Sequence, residues 1–199
     1  MPTATRPLPD FAAARRAMID SQLRTSGVNE PFVLERMGAL AREDFVPQAA
    51  RGIAYMDRAV PLGDGRFLAA PVVHGRMLAE ARPTAADRAL VVDGGSGYLP
   101  ELLRPLVGQL EVVAPEAAAT SAKRGDFSLL LIDGAVEQVP GSLARRLADD
   151  GRVVTGLVRD GVTRLAVGRK AAGEVALLPL AEIGMPVLHA FDRPKSWVF

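Results

Sequence analysis

A short apolar run that ends in a glycine-rich turn occupies residues 90–98, LVVDGGSGY. The apolar residues 90–92 predict a buried strand, and the run after the turn is compatible with a helix over 99–107. Glycines in such a turn let the backbone approach a ligand closely, and amide N–H groups at the start of the next helix point at the ligand's polar atoms. The stretch therefore predicts an α/β fold with a pocket for a nucleoside-containing cofactor.

Composition and charge exclude several classes of protein. The 199 residues are 49% hydrophobic, which is enough for one ordinary domain with a full core. The 24 basic and 23 acidic residues leave a net charge of +1, so charge gives no reason to expect nucleic acid or an anionic membrane as a partner. The chain has no cysteine, which excludes disulfides and thiolate metal sites.

Targeting and metal signals are equally absent from the sequence. No run of 18 apolar residues predicts a transmembrane helix, and the proline-rich start lacks the apolar segment of a signal peptide. The acidic residues Asp10, Asp20 and Asp57 do not form a ligand set with the two histidines. We therefore expect a cytoplasmic protein with no metal site and no nucleic-acid or membrane partner.

The chain divides into three regions within one compact domain. Residues 1–10 are predicted to be a disordered tail, residues 11–80 a helical cap with a substrate-side loop, and residues 81–199 the core. From residue 89 onward strands and helices alternate, which implies a parallel sheet with crossover helices. The predicted strands are 89–92, 110–114, 128–132 and 152–158, and the predicted helices are 11–23, 29–40, 48–53, 71–80, 99–107 and 140–149.

The C-terminal third departs from that alternation. Residues 162–168 and 174–180 are two strand-like runs, and the turn at 169–173 joins them as an antiparallel hairpin. Residues 196–199 are predicted to add an edge strand or to pack their aromatic side chains against the sheet. The fold expected is thus a Rossmann-like doubly wound sheet with a C-terminal antiparallel hairpin and an N-terminal helical cap.

The glycine turn fits one cofactor class better than another. A dinucleotide-binding turn needs a third glycine where this chain has Pro100, so NAD is disfavoured. The form Gly95-Ser96-Gly97-Tyr98 is closer to the turn of S-adenosylmethionine-dependent methyltransferases. Glu116 follows Gly95 by 21 residues, after the next strand, where a carboxylate can accept hydrogen bonds from ribose hydroxyls. The alternative is a purely structural strand–helix turn with Glu116 as a surface acid.

Several blocks of sequence together resemble one known family. They are MIDSQLR at 18–24, REDFVP at 42–47, AYMDRAVPL at 54–62, GSGY at 95–98 and IDGA at 132–135. From about residue 15 onward, their order and spacing resemble the protein-L-isoaspartate O-methyltransferases, particularly short bacterial members. The resemblance implies a doubly wound sheet with a reversed final strand and an N-terminal helical cap.

The resemblance also implies an activity, a cofactor and a substrate. Members of the family transfer a methyl group from S-adenosylmethionine to the abnormal carboxylate of isoaspartyl residues, which leads to repair of aged proteins. An isoaspartyl peptide or protein is then the expected partner. Asp133 ends a central strand at the edge where ligands bind in open α/β sheets. The residues predicted to contact the cofactor are Asp93, Gly94, Gly95, Ser96, Gly97, Tyr98, Glu116 and Asp133.

Three departures from the family pattern argue for reduced or absent activity. The family's hydroxyl residue near the transferred methyl group is replaced by Ala69, and the first glycine of its cofactor turn is replaced by Asp93. Residues 117–126 are too few for the helix and third strand that family members carry there. That shortening removes one wall of the adenine pocket and leaves 110–114 as a new edge strand. The alternative reading is an inactive relative that serves as a binding or assembly module.

Two histidines and the new edge complete the set of candidates. His74 lies on the helix that begins at Pro71 and is predicted to face the cleft, as a base, a substrate contact or a structural hydrogen-bond donor. For His189, in the C-terminal loop, a structural role is favoured. The edge strand at 110–114 is a predicted pairing surface for a second copy of the chain. No catalytic residue is assigned beyond these candidates.

Overall fold

Six strands form one mixed sheet in the computed structural model, which describes residues 10–193. Their order across the sheet is β4-β3-β5-β6-β7-β8, with β1 and β2 paired apart from it. The strands are β1 Val60–Gly63, β2 Arg66–Leu68, β3 Arg88–Val92, β4 Gln109–Val113, β5 Phe127–Val136, β6 Leu147–Arg159, β7 Val162–Ala171 and β8 Glu174–Glu182. Strands β3 to β6 are parallel to one another. Strand β7 pairs antiparallel with β6, and β8 pairs antiparallel with β7. The predicted doubly wound sheet with a C-terminal hairpin is confirmed.

Helices cover both faces of this sheet. They are α1 Phe11–Met18, α2 Pro31–Ala39, α3 Pro71–Ala81, α4 Tyr98–Leu103, α5 Pro115–Thr120 and α6 Gly141–Ala144. On β3, Ala89 and Val91 point into the cluster beneath α1 to α4, whereas Leu90 and Val92 point into the cluster on the α5 and α6 side. A strand buried on both faces is apolar throughout, which is why residues 89–92 carry no polar alternation.

The hairpin turns are tighter than the sequence pattern indicated. The β6–β7 turn is Asp160-Gly161 and the β7–β8 turn is Ala172-Gly173, and all four residues have positive φ. Two-residue turns with positive φ match the right-handed twist of the flanking strands. The strands β7 and β8 therefore extend into the region 169–173 that was predicted to be a longer turn.

The helix predicted at 140–149 is wrong over most of its length. Only Gly141–Ala144 is helical, and the chain from Leu147 already belongs to β6. The carbonyl oxygens of Arg145 and Arg146 accept hydrogen bonds from the amides of Gly125 and Phe127. This segment therefore pairs with the chain at the start of β5. The helix predicted at 99–107 also ends early, at Leu103, and a 3₁₀ turn follows at Arg104–Leu106, because Pro105 cannot continue the helical hydrogen-bond ladder.

Strand β4 lies at the sheet edge, as the shortened connection predicts. The chain passes from β4 through α5 and then directly into β5, with no intervening strand. The space beside α5 is filled from elsewhere: the 3₁₀ turn His189–Phe191 packs against it. Val187 bridges Ala135 at the end of β5, where the Ala135 amide donates to the Pro186 carbonyl at 2.7 Å. Pairing of the β4 edge with a second copy of the chain stays a prediction.

The cap region contributes to the same core as the sheet. Helix α3 packs against β5, β6 and β7, so it forms part of the layer over the sheet. Asp10, assigned by sequence to the tail, caps α1 by accepting a hydrogen bond from the Ala13 amide at 2.9 Å. The remainder of that predicted tail and the predicted edge strand at 196–199 lie outside the described residues. No helix within residues 10–193 has the length and apolar content that crossing a membrane requires.

Candidate functional site

A cavity of about 600 Å³ lies at the carboxyl ends of β3, β4 and β5. This is the edge at which open α/β sheets bind ligands, because the loops after parallel strands diverge there. The glycine turn forms its floor, the end of β4 and the start of α5 form one side, and the segment after β8 forms the other. Its lining residues are 64–67, 93–95, 112–116, Asp133 and 186–190.

The glycine turn owes its shape to Asp93. The Gly97 amide donates to both carboxylate oxygens of Asp93, at 3.0 and 3.2 Å, which closes the turn on itself. Gly95 and Gly97 have φ of 104° and 71°, a region where a side chain is strained. At Gly94 an added Cβ would collide with the backbone carbonyl oxygen of Asp133, so only glycine lets the turn lie against β5.

Two carboxylates, those of Asp93 and Asp133, belong to residues that line the cavity. Asp133 is 4% exposed, and one of its oxygens, Oδ2, has no hydrogen-bond partner among the described residues. Burial raises the pKa of Asp93, and the nearby charge of Asp133 raises it further, while the amides of Gly97 and Gly95 partly offset both. The site therefore concentrates negative charge at the end of the cavity formed by the glycine turn.

His74 is not in the cleft, contrary to the expectation from sequence. It is fully buried, its Nε2 lies 2.9 Å from Asp133 Oδ1, and its Nδ1 lies 3.4 Å from Arg42 Nη1. Because a guanidinium can only donate, Nδ1 accepts and the ring proton sits on Nε2, donated to Asp133. His74 therefore orients Asp133 and does not line the cavity, since the face of α3 that carries it packs onto β5.

Arg42 anchors the other end of this chain of hydrogen bonds. It is 0% exposed, donates from Nε to the Ala54 carbonyl at 2.6 Å and from Nη2 to the Ala69 carbonyl, and lies over the Tyr98 ring at 5.0 Å. Burial lowers its pKa, although the hydroxyl groups of Tyr98 and Tyr55 and the charge of Asp133 act in the opposite direction. No sequence pattern indicated a buried arginine here, because the REDFVP block looks like an exposed turn.

A second buried network holds Arg42 in place. The Tyr55 hydroxyl donates to Glu43 Oε2, and it accepts from Arg15 Nε at 2.7 Å and from the Arg42 amide at 3.2 Å. Burial and the bond to Glu43 raise the pKa of Tyr55 to about 12, against the opposing effect of Arg15. The blocks at 42–47 and 54–62 therefore build a support for the site, and Arg42, Glu43 and Tyr55 do not line the cavity.

The predicted cofactor residues separate into two groups. Asp93, Gly94, Gly95, Glu116 and Asp133 line the cavity, whereas Ser96, Gly97 and Tyr98 do not. Ser96 Oγ accepts from the Tyr98 amide at 3.1 Å and so stabilises the turn. The Tyr98 side chain is fully buried between Phe45 and His74, with ring centroids 5.2 and 5.3 Å away, so it supports the floor from below. Its assignment as a cofactor contact is corrected.

Sequence reasoning missed two parts of the cavity wall. Residues 186–190 form the side of the cavity opposite β4 and the start of α5, and His189 belongs to this wall. Arg66, at the tip of the β1–β2 hairpin, lies across the glycine turn, with its Cδ 2.6 Å from the position of a Cβ on Gly95. Neither feature has a sequence signal, because both depend on contacts between segments far apart in the chain.

A second cavity, also about 600 Å³, adjoins the first. Phe67 and Pro186 line both, so these two side chains form the partition between them. Asp57, Arg58 and Ala70 line the second cavity, and Ala69, 1% exposed, immediately precedes Ala70 in the chain. Among residues 10–193, no three histidine or acidic side chains come together as metal ligands.

A family model matches the chain over residues 13–124, and its description is protein-L-isoaspartate(D-aspartate) O-methyltransferase. The chain belongs to this family. These methyltransferases use S-adenosylmethionine, and methylation of isoaspartyl residues in proteins is their shared activity. The resemblance read from the sequence blocks is thereby confirmed.

Relatives from the same family match most of the length of this chain. A protein-L-isoaspartate O-methyltransferase of Koribacter versatilis is 30% identical, over 86% of this chain and 89% of its own. A second, protein-L-isoaspartate O-methyltransferase 2 of an Anaeromyxobacter species, is 31% identical over 83% of this chain and 78% of its own.

A solved structure confirms the fold of this methyltransferase family member. A putative Plasmodium falciparum protein-L-isoaspartate O-methyltransferase, in complex with S-adenosylhomocysteine, superimposes with a TM-score of 0.70. The superposition covers 92% of this chain and all of the Plasmodium falciparum chain, at 17% sequence identity. At this identity the likeness concerns the fold alone.

Proposed function

We propose that this chain binds S-adenosylmethionine in the cavity at the ends of β3, β4 and β5 and methylates isoaspartyl carboxylates. The single observation that carries the proposal is this cavity itself. It is bounded by the glycine turn and by Glu116, and Asp133, which also lines it, has a buried carboxylate oxygen with no hydrogen-bond partner among the described residues. A buried polar atom without a partner costs free energy unless a ligand or water completes it.

The residues present suit such a cofactor. The volume of about 600 Å³ falls within the range of small-molecule sites, and the walls offer apolar side chains such as Val113 and Leu188 for a base. Glu116, exposed at the start of α5, is placed to accept hydrogen bonds from ribose hydroxyls. Asp93 and Asp133 supply negative charge at the opposite end, which suits a cationic ligand.

Methyl transfer mainly requires the protein to position the two reactants. S-adenosylmethionine supplies a methyl group on a positively charged sulfur, and a carboxylate is already ionised and nucleophilic at neutral pH. No side chain need act as a base, which agrees with His74 being buried with both ring nitrogens bonded. The contribution of the chain is to hold two reactants in line and to exclude water.

The second cavity is the place that we assign to the isoaspartyl peptide. It opens on the far side of the Phe67 and Pro186 partition, so a carboxylate bound there would approach the first cavity between those two side chains. Arg58, exposed at its rim, carries the positive charge that attracts a carboxylate. Ala69 contributes no hydroxyl, so a substrate-orienting hydrogen bond is missing. The loss of one such donor lowers a rate by about a hundredfold.

Transfer of labelled methyl from S-adenosylmethionine to an isoaspartyl peptide tests this function. We expect slow but saturable transfer by the wild-type chain and no transfer to the aspartyl peptide of the same sequence. Gly95→Asp places a side chain at a strained φ and against Arg66, and is expected to lower transfer more than tenfold. Gly52→Ala is the matched control, because nothing lies within 4 Å of its Cβ. No transfer at saturating cofactor would contradict the proposal.

A second function is favoured by the same departures from the family pattern. The Gly97 amide already donates to Asp93, and Ala69 lacks a hydroxyl. Under this alternative, the chain is a relative that binds a ligand or partner without turnover. Saturable binding of S-adenosylhomocysteine with no methyl transfer would favour this alternative. Transfer that Gly95→Asp abolishes and Gly52→Ala preserves would exclude it.

A further inference from the structure

The cavity has an acidic end formed by Asp93 and Asp133. Asp133 Oδ1 is bonded to His74, whereas Oδ2 is buried and unpartnered on a residue that lines the cavity. Asp93, directly after the neighbouring strand β3, lines the same cavity, and the charge of Asp133 raises its pKa.

The charges around this end do not balance. Arg42 supplies one buried positive charge behind Asp133, through His74, which bridges the two side chains. Two carboxylates against one guanidinium leave one negative charge in excess. Arg66 also lines the cavity, but its guanidinium is about half exposed and lies 3.4 Å from Asp64, so solvent screens it. A buried excess charge is stable only when a ligand of opposite sign completes it.

The same end rejects an anion. In glycine turns that precede a helix, the amide N–H groups ordinarily attract the negative groups of a ligand. Here the Asp93 carboxylate already accepts the Gly97 amide through both oxygens. A ligand's carboxylate brought to this end would meet two like charges, and the Gly97 amide is already taken by Asp93.

The complement of this end is an ammonium group. A divalent metal ion would need further ligands, and within the described residues no three histidine or acidic side chains are placed to hold one. An ammonium group brings three donors and one positive charge, which matches two carboxylates with one free buried oxygen. The aliphatic part of the Arg66 side chain lies over Gly95. Its guanidinium can bind the carboxylate of an amino-acid ligand whose ammonium group binds the two acids.

We infer that Asp93 and Asp133 bind the α-ammonium group of the ligand's amino-acid portion, while Arg66 takes its carboxylate. The inference rests on the proposed function, because it assigns the amino-acid end of the cofactor within the same cavity. It makes Asp93, the residue that replaces the family's glycine, a specificity-determining residue.

Calorimetry on the intact chain tests the inference with two ligands that differ in one group. S-adenosylhomocysteine carries the ammonium, and its deaminated analogue has hydrogen in that place. We expect the wild-type chain to bind S-adenosylhomocysteine at least tenfold more tightly, since a hydrogen bond between charged groups contributes that much or more. This comparison needs no variant and so does not depend on how a substitution affects folding.

Asp133→Asn then closes a thermodynamic cycle. It is expected to weaken S-adenosylhomocysteine binding at least tenfold and to leave the deaminated analogue nearly unchanged. A loss shared by both ligands would indicate a structural role and overturn the inference. Asp149→Asn, at a side chain 96% exposed on the surface, controls for the change in net charge and should leave both affinities unchanged.

The two proposals fail in different ways. Equal affinity of the wild-type chain for the two ligands would overturn the ammonium site and leave nucleoside binding intact. If neither ligand binds, the cofactor cavity itself is refuted, and the ammonium site with it.

Discussion

Asp133 shows at the scale of one residue how a buried acid is positioned. Its place at the end of a central strand could be predicted, because the carboxyl ends of parallel strands meet at the ligand-binding edge. Its partner His74 was expected in the cleft and lies beneath it, and Arg42 had no sequence signal at all. Helical spacing tells which residues share a face of α3, but it cannot tell which neighbour that face will meet.

The missing hydroxyl at Ala69 leads to the first prediction at this scale. Ala69 is 1% exposed beside the second cavity, and its carbonyl is fixed by Arg42. Ala69→Ser is expected to raise the rate of methyl transfer to an isoaspartyl peptide by about tenfold to a hundredfold, because it restores a hydrogen-bond donor near the carboxylate. Measuring the rate of methyl transfer at saturating cofactor tests this expected increase. Ala59→Ser, at another residue of the same cavity, serves as the control, and an equal effect of both variants would argue against a specific role.

Asp87 gives a prediction for stability. Burial would raise the pKa of Asp87, but hydrogen bonds from Ser128 and Arg152 and from the Thr84 amide lower it below its ordinary value. Arg152 Nη2 lies 2.7 Å from both of its oxygens. Asp87→Asn is expected to lower the free energy of unfolding by about 2 kcal/mol at pH 7. Urea unfolding measures this, and Asp126→Asn, at an exposed ion pair, should change it by less than about 0.5 kcal/mol.

The sign of the pH dependence follows from the lowered pKa. A carboxyl group whose pKa is lower in the folded state contributes its stability above the unfolded value of about 3.9, and that stability is lost as the pH falls through the folded pKa. The difference between wild type and Asp87→Asn should therefore be constant above about pH 5 and shrink below about pH 4. A difference that grows on acidification would refute this assignment.

At the scale of elements, the segment after β8 is what the sequence could not reveal. The strands β3 to β8 follow from apolar runs and turn residues, and the short 117–126 connection correctly indicated that a strand is missing. Residues 186–190 have no periodicity, yet Val187 pairs with Ala135 and the segment forms one cavity wall. This wall depends on contacts between segments about 50 residues apart in the chain, which local patterns do not encode.

Gly134 controls how closely that segment approaches β5. An added Cβ would lie 2.6 Å from Leu188 Cγ and 3.0 Å from the Pro186 carbonyl oxygen. Gly134→Ala should push the segment outward and weaken the hydrogen bond from the Leu188 amide to the Ala135 carbonyl, now 2.9 Å. Hydrogen exchange of the Leu188 amide is expected to accelerate about tenfold, with little change at β3. Gly52→Ala is the control, and unchanged exchange at Leu188 would disprove the packing described.

At the scale of the whole molecule, the sheet passes from β4 through α5 to β5 with no strand between them. Helices on both faces, the reversed β7 and the cavity at the strand ends are built without such a strand. The fold was predictable because buried parallel strands and glycine turns leave strong local patterns. The site was predictable only in part: its floor lies in one stretch of sequence, whereas its walls and supports come from the cap, the β1–β2 hairpin and the C-terminal segment.

The central claim is that the cavity at the ends of β3, β4 and β5 binds S-adenosylmethionine and its product. Titration of S-adenosylhomocysteine into the isotopically labelled chain, followed by backbone amide chemical shifts, tests it most directly. The account predicts saturable shifts of one site per chain, largest at Gly94, Gly95, Glu116 and residues 187–190. Shifts that do not saturate at millimolar ligand, or that cluster on another face such as that of β7 and β8, would contradict it.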